Sequence, residues 1–295
     1  MSANSGMGFN TLQLPTKIHH AEILAQLFRM GNSTLLGALA VFSVDETQLG
    51  RHWAGFDLVL LFISWTALAA TAYAINDLVD RIRDRVNRPD RYLQRVDQTP
   101  LWIIASVMIA AGVALLTGAF VPLDRFLVLE IAWSCCAIGY SFGLKRRSGL
   151  LANLLTAFCV ATSASPGLLQ GYSPKILSLL LVLFLLMLAR EIWKDIEDEP
   201  GDRLAGLRTI PILRGKTIAA RSASAIAAAG CVALILGRPP GFTFGMISSG
   251  LGIAGFVASA WLFAWPDIMP ARRIQRLHRY AAIAVFGVFI AGSIL

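Results

Sequence analysis

Charge is what this chain has least of. Asp, Glu, Lys and Arg make up only 15% of its 295 residues, against 56% hydrophobic ones, where a soluble domain carries about a quarter charged residues. The shortage is concentrated in long runs. Residues 58–75, 101–123, 150–173 and 241–266 each pass at least 18 positions without a charged side chain. A bilayer core is crossed by about 20 apolar residues in helical conformation, so these runs exclude a soluble enzyme and imply an all-α, polytopic membrane protein. Cysteine and histidine are equally scarce, four of each. Cys135, Cys136, Cys159 and Cys231 lie inside apolar runs without metal-ligand spacing, and His19, His20, His52 and His278 form no ligand set, which excludes a zinc module and a disulfide scaffold. There is no P-loop, no GxGxxG and no Ser-His-Asp pattern. The first 16 residues lack the basic start and apolar centre of a cleavable signal peptide.

The net charge of +8 has a different origin from that of a nucleic-acid binder, and no nucleic-acid partner is expected. Residues 1–16 are polar and expected to be loose, and 17–295 form one transmembrane domain. Lys17 to Phe28 reads as a short interfacial helix leading into the first span. Nine spans follow, near 23–44, 56–80, 101–120, 125–144, 151–169, 176–194, 218–236, 242–265 and 277–294. With a cytoplasmic amino terminus, only Arg51, Arg125, Lys175 and Arg238 fall on the far side, leaving 22 of the 26 basic residues on the cytoplasmic side. That bias is the signature of inward-facing loops. It suggests a multi-pass protein of the cell inner membrane with its chemistry facing the cytoplasm.

The informative charges are acidic. Asn76-Asp77-Leu78-Val79-Asp80-Arg81-Ile82-Arg83-Asp84 spaces Asp77, Asp80 and Asp84 by three and four. Asp195, Asp198 and Asp202 repeat that spacing 118 residues later. Offsets of three and four stack side chains on one helical face, where like charges repel unless a cation lies between them. Oxygen ligands of this kind suit Mg²⁺, which shares its shell with substrate phosphates. Arg81, Arg85, Arg88 and Arg91 follow the first motif closely, and the planar guanidinium matches phosphate oxygens. In the second motif Pro200-Gly201 is expected to interrupt the helix, so that Asp202 approaches from a loop. Arg190 and Glu191 are charged positions near the end of a span, either paired structurally or functional. After the fourth span, Lys145 and Arg146 can reach a diphosphate or act as positive-inside anchors, and Arg147 reads as an anchor. Tyr140 can face a developing cation or sit in an interfacial belt. Asn32 reads as a pocket residue or a helix–helix hydrogen bond.

These residues resemble the UbiA superfamily of intramembrane prenyltransferases. Asn76, Asp77, Asp80 and Asp84 are similar to the family's NDxxDxxxD. Lys194, Asp195, Asp198, Gly201 and Asp202, followed by Arg203, Gly206, Thr209 and Pro211, resemble its second motif in the form KDxxDxxGD. The stretch Tyr140-Ser141 to Asn153 resembles the segment after helix four, and Arg29 and Asn32 resemble a helix-one pair, with Met30 in place of the usual Pro. The resemblance implies nine transmembrane helices around a central cavity. It implies Mg²⁺ held by Asp77, Asp80, Asp84, Asp195, Asp198 and Asp202, with Asp77, Asp80, Asp195, Asp198 and Tyr140 catalytic. An isoprenyl diphosphate would be bound by Asn76, Arg81, Arg88, Lys145, Arg146 and Lys194, and the acceptor pocket would hold Arg29, Asn32 and Asn153. The hydrocarbon tail would lie in the cavity and emerge into membrane lipid.

The second motif's spelling is closest to members that prenylate glycerol-phosphate lipids or reduced rings. Tyr92-Leu93-Gln94 replaces the usual Pro-rich continuation after Asp90-Arg91, so the small acceptor stays open between an aromatic or quinone-precursor ring and a glycerol-phosphate lipid. Two other readings stand beside transfer. One is a terpene cyclase of the same superfamily that quenches the cation within its own chain. The other is a transporter with acidic gates, which would place its charges near the membrane midplane rather than at one surface.

Overall fold

The computed structural model describes residues 20–47, 55–89, 91–95, 99–123, 125–237 and 242–294, which are helical with no strand among them. The amino-terminal segment 1–16 lies outside the described residues. Helices α1 (His20–Leu27) and α2 (Met30–Thr47) meet at a 52° bend. Next come α3 (Gly55–Val79), the short α4 (Arg81–Asn87) and α5 (Tyr92–Arg95), then α6 (Leu101–Ala119) and α7 (Phe126–Gly139). A π-helical turn at Tyr140–Leu144 leads through α8 (Lys145–Arg147) into α9 (Gly149–Ala161), and two 3₁₀ turns, Thr162–Ala164 and Pro166–Leu169, follow it. The last elements are α10 (Pro174–Leu204), α11 (Ile210–Arg214), α12 (Lys216–Leu236), α13 (Phe242–Ala264) and α14 (Ala271–Ile294).

A helix thus stands at each of the nine places expected from the apolar runs. Five of them, α3, α6, α10, α12 and α13, are long and apolar enough to cross a membrane, and the bent pair α1–α2 makes a sixth. The apolar stretches at α7 and α9 are shorter, and α14 opens with the basic turn Arg272-Arg273. Large apolar side chains face outward along α6 and α13, among them Met108, Leu116, Ile253 and Val257, which is the pattern of surfaces solvated by lipid rather than water.

Helix α10 is the spine. Its 31 residues span about 46 Å at 1.5 Å per residue, more than a hydrocarbon core of about 30 Å, so its acidic second half extends past the apolar belt. It packs against α9, α12 and α14, and against α4 at its acidic end. The first half buries Ile176, Leu179, Val182 and Leu183 in the main core, where Trp65, Phe126 and Trp133 pack against one another. The second half buries Glu191, Lys194, Asp195, Asp198 and Asp202. The expected break at Pro200 does not occur: α10 runs unbroken to Leu204 and Asp202 is helical. Proline removes one backbone donor and crowds the preceding turn, and here another element braces the helix on either side of it. Asn87, the last residue of α4, accepts the Gly201 N–H at 3.0 Å and donates its amide to the Asp198 carbonyl at 3.0 Å.

One buried acid escapes the motif pattern. Glu130 in α7 is fully buried, and the Ser64 hydroxyl lies 2.8 Å from its Oε1 and 3.1 Å from the Ala114 carbonyl, joining α3, α6 and α7. Glu130→Ala is expected to cost about 2 kcal/mol of stability by stripping a buried hydrogen bond. The check is a lowered thermal midpoint with unchanged Michaelis constants, since Glu130 lines neither cavity described below.

Candidate active site

The two acid motifs meet where α4 crosses the end of α10. Asp77 ends the buried face of α3, Asp80 lies in the link to α4, and Asp84 is one turn further on. On α10 the spacing of three and four places Asp195, Asp198 and Asp202 along one side of the helix, and Asp198 and Asp202 meet Arg88 and Arg83. Asp77, Asp84, Asp195, Asp198 and Asp202 are all at most 4% exposed. Such a concentration of buried anions is tolerable only with positive partners close by, and four arginines supply them.

Arg29 reaches Asp77 Oδ1 at 2.5 Å, and Arg91 reaches Asp77 Oδ2 at 3.0 Å and Asp84 Oδ2 at 3.3 Å. Arg83 pairs with Asp80, and its Nε lies 3.6 Å from Asp84 and 3.5 Å from Asp202. Arg88 donates to both oxygens of Asp198 at 3.1 and 3.2 Å and lies 3.7 Å from Asp84. Arg83 and Arg88 each touch both motifs, so the two carboxylate sets share one electrostatic unit. Burial works against the charge on Arg83, but Asp80, Asp202 and Asp84 outweigh it and hold its pKa above the ordinary arginine value. Arg91 is shifted the other way, by burial first and by Arg29 and Arg88 beside it, with Asp77 opposing.

Arg29 owes its aim to the backbone. It sits at the bend between α1 and α2 with φ of 45°, a left-handed conformation that costs a non-glycine residue on the order of 1 kcal/mol. The bend lays its guanidinium over the Tyr73 ring, 4.9 Å from the centroid, on the way to Asp77. Arg190 and Lys194 converge on Glu191, at 2.5 and 3.5 Å, so this near-span charge cluster is internally paired.

Two connected cavities are bordered by the arginines that hold the acids. A polar vestibule of about 780 Å³ is lined by Arg88, Arg91, Arg276 and Glu197 among others, and none of the six motif acids lines it. An apolar chamber of about 130 Å³ runs beneath, lined by Leu36, Leu39, Ala69, Trp133, Met187 and Phe286. Arg29, Asn32, Arg190, Lys194 and Arg279 line both. Asn76 and Tyr140 border the chamber, and Tyr140 opens the π-helical turn, an irregularity that recurs at functional sites.

Most of the residues singled out in the sequence come together here, and some do not. Asn153 is held away from both cavities and instead donates to Asp195 Oδ2 at 2.7 Å, orienting an acid rather than lining a pocket. Arg81 turns to α5 and the segment after it, donating to the Leu93 carbonyl at 2.9 Å and to Thr99 Oγ1 at 3.2 Å. Arg146 is exposed, and the side chain of Lys145 lies outside the described residues. Arg83 and Asn87, to which no role is assigned in the sequence reading above, hold the centre of the site. The offset of three from Asp80 to Arg83 was the available signal for the first. Nothing local marks the second.

The donor set suits a hard divalent cation: carboxylate oxygens with amide neighbours, and neither thiolate nor imidazole. Asp84 Oδ1 is buried without a hydrogen bond. Among the described residues no three acids form a ready-made cage, because guanidinium groups stand between them.

Residues 34–291 match the UbiA prenyltransferase family. The digeranylgeranylglyceryl phosphate synthase of Ignicoccus hospitalis is 31% identical over 235 residues, covering 74% of this chain and 72% of that one. The enzyme of the same name from Methanothermobacter thermautotrophicus is 29% identical over 267 residues, covering 86% and 92%. Among solved structures, a digeranylgeranylglyceryl phosphate synthase in membranes superposes with a TM-score of 0.70 at 20% identity, covering 93% of this chain and 98% of that one. A UbiA homologue from Archaeoglobus fulgidus bound to DMAPP and Mg²⁺ superposes with a TM-score of 0.66 at 17% identity, covering 92% and 99%. At such identities these two likenesses speak for the fold alone. The family match spans most of the chain and agrees with its apolar helices: the protein is an integral membrane enzyme and belongs to the UbiA prenyltransferase family.

Proposed function

We propose that this protein transfers an isoprenyl group from an isoprenyl diphosphate to a glycerol-phosphate lipid, in a Mg²⁺-dependent reaction at the cytoplasmic face of the cell inner membrane. The single observation that carries the reading is the convergence of two distant acid motifs on shared arginines, Arg83 and Arg88, the latter lining a polar vestibule that adjoins an apolar chamber. The relatives' names favour a glycerol-phosphate acceptor over a ring. In this reading residues 17–295 form one transmembrane unit of nine spans, with the shorter α7 and α9 and the more basic α14 completing the six that are long and apolar enough to cross.

Asp77, Asp80 and Asp84 would hold magnesium from one side, and Asp195, Asp198 and Asp202 from the other. Bound magnesium neutralises the diphosphate and stabilises the charge that grows on its bridging oxygen. The chain's own residues do the rest. Arg88 and Arg91, now on carboxylates, are placed to turn toward phosphate oxygens once those carboxylates are engaged. The allylic carbon–oxygen bond breaks, diphosphate leaves with the bonding pair, and the acceptor's hydroxyl oxygen bonds to that carbon and gives up its proton to the departing diphosphate. Tyr140 and the chamber walls meet the developing cation with an aromatic face and exclude water that would quench it. An apolar cavity of about 150 Å³ accommodates a benzene-sized group, so the chamber encloses only the reacting end of the donor, and the rest of its tail leaves toward lipid.

Purified protein given an isoprenyl diphosphate, a glycerol-phosphate lipid and Mg²⁺ is expected to release diphosphate and form the prenylated lipid, and EDTA should stop both. A cyclic hydrocarbon or alcohol formed without any acceptor would replace this reading with that of a terpene cyclase.

A further inference from the structure

The vestibule carries more positive charge than the acid motifs neutralise. Arg29, Arg88 and Arg91 on its inner wall are matched by Asp77, Asp84 and Asp198. Another part of the lining is the start of α14, where Arg272, Arg276 and Arg279 follow at intervals of four and three and share one face. Arg272 lies 3.8 Å from Glu197, which also accepts from Gln275 at 2.5 Å. Among the described residues, Glu197 is the only acid lining the vestibule. Arg276 has no hydrogen bond or ion pair among the described residues, and Arg279 touches only the Tyr280 ring, 5.5 Å from its centroid. Two guanidinium groups therefore face this cavity with no carboxylate to answer them. Arg279 stands where the vestibule joins the apolar chamber.

We propose that Arg276 and Arg279 form a second anion subsite, distinct from the acid-and-arginine wall, which takes the phosphate of the acceptor lipid. The proposal rests on the prenyl-transfer reading above and adds to it the residues that make the acceptor anionic rather than a neutral ring. Its geometry is coherent with a lipid arriving from the bilayer. Leu277, Tyr280 and Ile283 on α14 are 54%, 57% and 42% exposed, a path for acyl or isoprenoid chains directly beside the two arginines. A phosphate held there leaves the glycerol hydroxyl to enter between the two sets of arginines, toward the donor's diphosphate. Guanidinium is suited to the task because its fork pairs with two phosphate oxygens at once.

The test compares wild type with Arg276→Gln and Arg279→Gln, using a monoalkyl glycerol phosphate as acceptor, with Arg273→Gln as control. Arg273 is exposed and lines neither cavity. Loss of a charge-assisted bond should raise the acceptor KM about 10- to 100-fold in the first two variants. Their donor KM and kcat should stay within about twofold of wild type, the span of unrelated surface changes, and the control should match wild type throughout. Arg276→Lys should recover part of the loss, because it keeps the charge without the fork. An unchanged acceptor KM, or a donor KM that rises in step, overturns the subsite. Should wild type release no diphosphate with this acceptor, the prenyl-transfer reading has failed, and equilibrium binding of the monoalkyl glycerol phosphate decides the subsite separately. Weaker binding to Arg276→Gln supports it, and equal binding overturns it.

Discussion

Asp198→Asn is expected to lower diphosphate release at least about a hundred- to a thousand-fold, the scale of losing one preorganised electrostatic contact to a developing charge. The substitution preserves volume and one acceptor oxygen but removes the charge that Arg88 meets with two hydrogen bonds. With the carboxylate gone, Arg88 loses its partner on α10 and is left beside Asp84. The magnesium concentration for half-maximal activity should rise as well, since one of the six carboxylates proposed to hold it is lost. A stability change small beside the activity loss would separate a site defect from unfolding. Wild-type turnover at wild-type magnesium would remove the second motif from the chemistry. The same measurements on Asp77→Asn test the first motif, where Arg29 and Arg91 would lose their common partner.

The acids were legible in the sequence because helical periodicity is local: offsets of three and four fix a face whatever the rest of the chain does. The spans were legible for a similar reason, as charge-free runs report the solvent and not the fold. What the sequence hid is tertiary. Arg81 and Arg83 both follow Asp80 closely, yet only Arg83 turns toward α10, where Asp202 lies 3.5 Å from it, while Arg81 is drawn to Thr99. Asn153 carries no mark that its partner is Asp195, 42 positions away. Arg29 was visible as a charged residue near the start of a span, but not the left-handed bend that aims it. The proline rule misled for the same reason: it describes what a helix loses at Pro200 and is silent about an asparagine from another element that bonds the backbone on either side of it.

That asparagine makes Gly201→Ala the more discriminating experiment. A Cβ at position 201 would lie 2.6 Å from both terminal atoms of the Asn87 side-chain amide, so Asn87 must be driven out. Its two hydrogen bonds to α10 then break, and α4 shifts with Arg83 and Arg88, the two residues that join the motifs. Overpacking of this kind costs about 1–3 kcal/mol, and the displacement should reduce activity by about a hundred-fold, as misplacement of around 1 Å does elsewhere. A generic helix effect predicts the opposite sign, because Ala is the better helix former by about 1 kcal/mol. The double mutant Asn87→Ala/Gly201→Ala separates the two. With the amide gone the methyl group has room, so Gly201→Ala should be neutral or stabilising in that background while costing stability in the wild type. Thermal midpoints of the four proteins in detergent give the coupling directly, and the two sites are in contact, where non-additivity is expected. Additive midpoints would mean that Asn87 does not bind α4 to α10, and the continuity of α10 through Pro200 would then need another support.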